Sequence, residues 1–460
     1  MPETTLVKKF QELLGNDQVL HQQADLLTYS YDAAVLEPQM PALVVRPRRP
    51  ADLGAVVALC HQEGLALTVR GAGTNLSGGT IPHPGGVVAL TGGLNRVLEI
   101  NEADLLAVVE PGVITAGFVA QVAARGLFYP PDPGSQAVST LGGNVAENSG
   151  GLRGLKYGVT RDYVLGLSFY DVEGNLVKTG ARTVKCVSGY NLAGLLVGSE
   201  GTLGVISQIT LKLVPPPAAS QAMVAVFDSV AAASETVAAI IAARIVPATL
   251  EFMDNFTIRA VEDHAHAGLP VEAAALLLIE VDGHPAQVAD EAAQVAEICR
   301  RLGAGRVEVA TDAAHKARIW EARRIALSAL AKLKPTTVLE DATVPRSKIP
   351  AMMTALGDIA RRHRVTIGTF GHAGDGNLHP TILTDRRDRA EWARVEQAVD
   401  DIFAVALDLG GTLSGEHGIG LAKSRFLEKE TTRGTILWSR RLKAALDPKG
   451  ILNPGKVIGG

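Results

Sequence analysis

The chain has 460 residues, 47% of them hydrophobic and 20% charged, enough for roughly two to four globular domains at ~150 residues each. A formal net charge of −4, with no Lys/Arg-rich block, argues against a dedicated nucleic-acid binder. The three cysteines, Cys60, Cys186 and Cys299, are far apart and form no CxxC pair. That excludes a structural zinc ribbon or a cysteine-ligated iron–sulfur cluster in this chain, and fits a reducing compartment.

In chain order, MPETTLVKKFQELLG reads as a short amphipathic helix without the apolar core of a signal peptide. PALVVRPRRP is a strand running into a loop. Pro50 then opens a helix with Leu53, Val56, Val57 and Cys60 at helical spacing and Gly64 as its stop, and strand ALTVR follows. Residues 42–70 therefore read as one βαβ unit. GGVVALTGGL and DLLAVVEPG are further strands, and TAGFVAQVAARG is a helix ending at Gly126. DYVLGLSFYDVEGNLVKTG is a hairpin turning at Glu173-Gly174-Asn175. GTLGVISQITLKLV is a strong strand, and the stiff run Pro215-Pro216-Pro217 after it marks a domain boundary.

Beyond 218, strands alternate with alanine-rich helices, predicted over 229–243, 254–265, 286–302, 312–330 and 346–363, which reads as a second α+β domain. The most apolar long stretch, 230–250, is interrupted by Glu235 and Arg244, so no membrane-spanning helix is expected. The tail DPKGILNPGKV is turn-rich.

Three glycine-rich loops carry the chemistry of the first half. RGAGTNLSGG, residues 70–79, follows a strand, and its glycines leave successive N–H groups able to converge on an anion. It is not a Rossmann fingerprint, because no glycine stands at position 76 and no helix follows; it is not a P-loop, because Gly79 stands where lysine is required. Alone, it reads either as an anion nest or as a glycine-rich turn. PPDPGSQAVSTLGGNVAENSGG, residues 130–151, strings small residues over a length that suits a flat ligand against the backbone, and GSEGTLG, 198–204, precedes a strand. Three such loops exceed what turn chemistry demands.

Together with the terminal NPGK, these loops resemble the FAD domain of vanillyl-alcohol-oxidase-type (PCMH-type) flavoproteins over roughly residues 40–215 plus the tail. The resemblance implies that Arg70, Gly71, Ala72, Gly73, Thr74, Asn75, Gly78 and Gly79 hold the FAD pyrophosphate. It places Pro130, Asp132, Ser135, Thr140, Gly142, Gly143, Asn144, Asn148, Gly150 and Gly151 against the isoalloxazine and its chain. Glu200, Gly204 and Ile206 would follow the adenosine half, and Asn453 would close the site. Some members attach FAD through a histidine in the first loop; Thr74 stands there, so non-covalent FAD is expected.

In the second half, GHAGDGNLH (371–379) lies between strands VTIGTF and LHPTIL, and a hairpin turning at Gly374-Asp375-Gly376 would bring His372 and His379 together. Two neutral imidazoles at one tip suit a divalent transition metal, or are simply polar hairpin residues. LSGEHGIG (413–420) adds adjacent Glu416 and His417: Glu416 could complete a His/His/carboxylate set, or the segment is a capping turn.

Both segments resemble the FAD-linked 2-hydroxy-acid oxidoreductases, which include glycolate oxidase flavin subunits, D-lactate dehydrogenases and D-2-hydroxyglutarate dehydrogenases. H-x-G-D-G-N-x-H matches at 372–379 and G-E-H-G-x-G at 415–420. The resemblance implies His372, His379 and Glu416 as ligands of a divalent metal, zinc first, with manganese or iron as alternatives, and His417 as the base. The family's W-x-x-R element falls on Trp320 and Arg323, whose arginine would grip the substrate carboxylate, with Arg324 as a competing candidate and a solvated helix face as the plain reading. Members acting on 2-hydroxyglutarate carry a lysine and an asparagine for the second carboxylate; Leu339 and Thr381 stand near those places, with Arg346 or Lys348 as substitutes.

The expected architecture is α+β: an N-terminal helical segment over 1–39, a two-part FAD domain over 40–217, an α+β cap domain with an antiparallel sheet over 218–420, and a tail over 421–460 returning to the FAD domain. The expected activity is FAD-dependent oxidation of D-lactate or glycolate to the 2-keto acid. The alternatives are a D-2-hydroxyglutarate dehydrogenase and a non-catalytic flavin subunit. Electrons would leave to an external acceptor such as a separate iron–sulfur subunit. A cytoplasmic chain is expected, not integral to a membrane, reaching the inner membrane only through a partner; self-association stays open.

Overall fold

The computed structural model describes residues 3–459 and divides the chain into two compact units. The first takes residues up to 150, 159–216 and 416 onward; the second takes 151–158 and 217–415.

The first unit holds two sheets. One contains β1 (Val19–Leu20), β2 (Leu43–Val45), β3 (Leu67–Arg70) and β4 (Val87–Leu90) in the order β1-β2-β4-β3, with β4 parallel to both neighbours. The helix Pro50–Glu63 joins β2 to β3 as expected, but β4 is inserted between them, so the βαβ unit skips one strand. That helix starts on proline at its first turn, where no N–H is needed, and ends at Gly64 with φ 65. Its face of Leu53, Val56, Val57 and Cys60 is fully buried in one core with Phe10, Leu43 and Val45. Each such Val or Leu contributes about 1.5–3 kcal/mol by leaving water.

The other sheet contains β5 (Val97–Asn101), β6 (Leu106–Val109), β7 (Val164–Tyr170), β8 (Leu176–Gly180) and β9 (Val205–Lys212), ordered β5-β6-β9-β7-β8 and antiparallel. The β7–β8 hairpin is the predicted one. Asp171 accepts from the amides of Glu173 and Asn175, and Gly174 takes φ 86 at the tip. Phe118, Tyr129, Leu141, Tyr163 and Phe169 build the core beside this sheet.

The second unit is built on one sheet of eight strands: β10 (Ala219–Phe227), β11 (Thr249–Asp254), β12 (Ala275–Gly283), β13 (Ala304–Val309), β14 (Thr336–Leu339), β15 (Ala342–Thr343), β16 (Thr366–His372) and β17 (Asn377–Thr384). The order is β13-β10-β12-β11-β16-β17-β14, with β15 also pairing β17, and all pairings are antiparallel. Met253, Leu276, Leu278 and Phe370 on the sheet share a core with Ile258, Val261, Trp320 and Leu330 of the helices. The helix predicted over 312–330 is two helices, Ala313–Arg324 and Ala326–Ala331, because Ile325 relaxes to ψ −1 between them. Two helices, Arg389–Asp408 and Arg433–Leu446, exceed the elements read from sequence. Among the described residues, no helix is long and apolar enough to cross a membrane.

Candidate functional site

In the first unit, loop 70–79 leaves β3 with its flanks buried and Gly71, Gly73, Thr74, Asn75 and Leu76 partly open. Gly73 and Gly78 hold φ 71 and 78, conformations that favour glycine. A Cβ on Gly71 would lie 2.3 Å from Thr140 Oγ1, so the first two loops approach backbone to side chain. Asn75 is spent on the loop itself: its Oδ1 accepts from the amide of Gly79 at 2.9 Å, and its Nδ2 donates to Thr80. Arg70 is buried and donates to the carbonyl of Tyr31 at 2.6 Å, while Ala72 is exposed.

The second loop carries Pro130 and Asp132, both buried, and Ser135, half-buried. Thr140 caps the helix Leu141–Glu147 by accepting from Gly143 N, and a Cβ on Gly142 would meet Pro111 at 2.5 Å. Two residues expected against the flavin are engaged within the protein. Asn144 donates to Thr115 Oγ1 at 2.8 Å, and Asn148, at φ 55, accepts from the amide of Arg161. Gly150 belongs to the first unit and Gly151 to the second. A Cβ on Gly150 would lie 2.8 Å from Glu416 Oε2, which brings this loop to the GEHG segment.

The third loop and the tail close on the first. Asn453 donates to the carbonyls of Gly79 and Glu200 at 2.8 and 2.7 Å and accepts from Thr68 Oγ1. Gly204 and Ile206 pack at Phe169 and in the adjoining core. Glu200, 6% exposed, does not reach outward: its carboxylate accepts from the amides of Ile419 and Gly420 at 2.7 and 2.8 Å. Burial pushes its carboxyl up to about 7. Burial, followed by the nearby Glu200 and Asp32 charges, pushes Glu147 well above the carboxylate range, and burial brings Lys456 down to about 8.

In the second unit the hairpin β16–β17 does what its sequence suggests. Phe370 pairs with His379 and His372 with Asn377, so all four side chains share one face. The rings of His372 and His379 stand 5.2 Å apart, edge to face, and both residues are buried. Asn377 is anchored by Asp341 at 2.5 Å and by Thr343, and Ser414 donates to the other oxygen of Asp341 at 2.6 Å.

Sequence reasoning missed Glu251. It lies on β11, fully buried, and one carboxylate serves two partners. Oε1 meets His372 Nδ1 at 2.7 Å, and Oε2 accepts from Arg323 Nε at 2.5 Å. Burial works to raise this carboxyl, but the Arg323 and His372 charges and hydrogen bonds outweigh it and hold it below the usual range. Its one signal is an acid inside the apolar strand VPATLEFM, where an unpaired carboxylate would be costly. Arg323 is 6% exposed and its guanidinium lies 4.7 Å over the Phe370 ring, whereas Arg324 is exposed. Trp320, one turn earlier, donates to Glu280 at 2.8 Å, so the W-x-x-R pair is pinned to the sheet by two acids. Leu339 and Thr381 face each other across β14 and β17 and supply no cation, while Arg346 and Lys348 are exposed.

The residues fit both groups that the motifs imply. The first unit offers a backbone-lined cradle in which side chains at Gly71 and Gly73 would collide with Thr140 and Arg70. The second offers two adjacent imidazoles. Glu251 holds Nδ1 of His372, which fixes the orientation of that ring.

Residues 216–457 match the family described as FAD linked oxidases, C-terminal domain, and residues 41–180 match the FAD binding domain family. The chain is 49% identical over 447 residues to glycolate oxidase subunit GlcD of Bacillus subtilis (strain 168), covering 97% of this chain and 95% of that protein. It is 37% identical to the GlcD subunit of Escherichia coli (strain K12), covering 99% and 91%, and 32% identical to a D-lactate dehydrogenase of Anaerostipes hadrus, covering 98% and 97%. Among solved structures, p-cresol methylhydroxylase with substrate bound superposes with a TM-score of 0.84 at 17% identity, covering 99% and 96% of the two chains. The 4-ethylphenol oxidase from Gulosibacter chungangensis gives 0.80 at 18%, covering 99% and 96%. The chain belongs to the FAD-linked oxidase family, with the PCMH-type FAD-binding fold. It is a flavin-dependent oxidoreductase.

Proposed function

We propose that the chain oxidises a small 2-hydroxy monocarboxylate, D-lactate or glycolate, to the 2-keto acid. One observation carries this reading: a single buried carboxylate, Glu251, holds both an arginine suited to a substrate carboxylate and a histidine suited to a metal. The relatives named glycolate oxidase subunit and D-lactate dehydrogenase support it.

Glu251 engages Arg323 through Nε alone, which leaves the terminal guanidinium nitrogens to bind the substrate carboxylate. The guanidinium carbon lies 4.7 Å over the Phe370 ring, a cation–π contact at a buried position. His372 and His379, with Glu416 as the third donor in the family pattern, would hold a divalent metal, zinc, manganese or iron, whose chemistry is to polarise the 2-hydroxyl. The His417 imidazole takes the proton from the 2-hydroxyl oxygen. Bound FAD, held non-covalently by the loops at 70–79, 130–151 and 198–204 with Asn453, supplies the acceptor for the hydride at C2. The cation-free pair Leu339 and Thr381 favours a monocarboxylate over 2-hydroxyglutarate.

With no cysteine cluster in this chain, electrons would leave the flavin for an external acceptor; the subunit names of two relatives support a companion chain, and a separate iron–sulfur subunit is the companion we propose. A cytoplasmic chain, peripheral to the membrane through that companion, completes the reading. The test is anaerobic flavin absorbance while D-lactate, L-lactate, glycolate and D-2-hydroxyglutarate are added in turn. Bleaching by D-lactate or glycolate is expected, with loss in Arg323→Ala. Bleaching by 2-hydroxyglutarate alone, or by none of the four, overturns the reading.

A further inference from the structure

Resting on the assignment of His417 as the base, we infer that Glu200 is a positioning residue: its buried carboxylate fixes the turn that carries His417, rather than binding the adenosine half of the flavin. Both Glu200 oxygens are occupied by amides two and three residues beyond His417, those of Ile419 and Gly420, at 2.7 and 2.8 Å. Two N–H groups aimed at the two oxygens of one carboxyl group form a bidentate clamp, which fixes both the distance and the orientation of the turn.

Glu200 is itself held at both its backbone groups. Its amide donates to the carbonyl of Ala146, its carbonyl accepts from Asn453, and its backbone takes φ 51. A non-glycine residue in that conformation persists only where its surroundings impose it. The far side of the turn is stitched to the first loop, because the amides of Leu421 and Ala422 both donate to the Ser77 carbonyl at 2.9 Å.

The turn has no room to drift. Gly418 stands at φ 87, and a Cβ there would lie 2.3 Å from Glu147 Oε2 and 3.0 Å from Glu200 Oε1. Gly420 stands at φ 49, and a Cβ there would lie 2.2 Å from the Ser77 carbonyl. His417 thus hangs one peptide from a turn registered against two of the glycine-rich loops. An imidazole that abstracts a proton must sit within about 3 Å of it, and a displacement of about 1 Å can cost on the order of 100-fold in rate.

The experiment uses the flavin-loaded enzyme and the variants Glu200→Gln, Glu200→Ala and His417→Ala, reading FAD content, KM and kcat per bound flavin. The expected result is a kcat about 10–100-fold lower in Glu200→Ala, partial rescue in Glu200→Gln (one amide still has an acceptor), and unchanged FAD content and KM. Loss of FAD with normal kcat per remaining flavin returns Glu200 to the cofactor and overturns the inference. So does full kcat in Glu200→Ala when His417→Ala is dead. Full turnover in His417→Ala sinks the underlying assignment instead. If Glu200→Ala does not fold, Gly418→Ala displaces the same turn and is expected to lower kcat with FAD retained; unchanged kcat there also overturns the inference.

Discussion

The glycine loops of the first unit and the hairpin face of the second are built in opposite ways. In the first, the polar side chains are mostly consumed internally: Asn75 holds Gly79, Asn144 holds Thr115, and Asn148 holds Arg161, which leaves backbone and small residues to meet a ligand. In the second, the proposed function would have side chains do the recognising, and a carboxylate behind them sets their direction. A backbone cradle suits a large cofactor that stays bound, because it gains many modest contacts without rotamer entropy. Side chains held by a buried acid suit a small substrate that must be gripped at a few points and released.

That contrast can be broken at either end. His417→Ala is expected to lower turnover by about 10²–10⁴-fold with FAD still bound, read by steady-state rates and flavin absorbance. Gly71→Val is expected to do the reverse in kind: its new side chain meets Thr140, and the protein emerges colourless while its second unit stays folded. Glu251→Ala should weaken metal retention by about 10–100-fold. It should also cost about 3–5 kcal/mol of stability, because it leaves the Arg323 charge buried without its partner; metal analysis and unfolding in denaturant read these two effects. The smallest effect belongs to Arg324→Ala, which should stay within about 0.5 kcal/mol and keep full activity, since that side chain is exposed.

The first unit adds a pH dependence. Glu147 and Glu200 both have folded-state values raised above the ordinary carboxylate, so the fold favours their protonated forms. Their contribution is fully present below the unfolded carboxylate range and is lost as pH rises through about 7, the value for Glu200. Thermal unfolding of the protein between about pH 4.5, the ordinary carboxylate value, and about 7 should therefore show falling stability, and Glu147→Gln should flatten the slope.

The glycine loops and the two metal-motif segments were legible because their chemistry is local: a turn needs its glycine where it stands, and a hairpin brings His372 and His379 together over seven residues. Glu251 was not legible, because its partners are 72 and 121 residues away, and in sequence it is a single acid in an apolar strand. Glu200 was visible as a motif member, read toward the adenosine half, but its amide partners 219 and 220 residues on were not. The insertion of β4 between β2 and β3 is likewise a pairing choice that no local pattern encodes. The helix Arg389–Asp408 differs: Val395, Val399, Ile402, Phe403 and Ala406 stand at helical spacing, so its pattern is present in the sequence.

The most direct test of the side-chain face is anaerobic flavin reduction by D-lactate or glycolate, before chelation, after it, and after a divalent metal is returned. Reduction that chelation abolishes and metal restores, in a protein that keeps its FAD throughout, is the predicted result. Reduction that proceeds unchanged after the metal is stripped would contradict it, returning His372 and His379 to the role of buried polar residues at a hairpin tip.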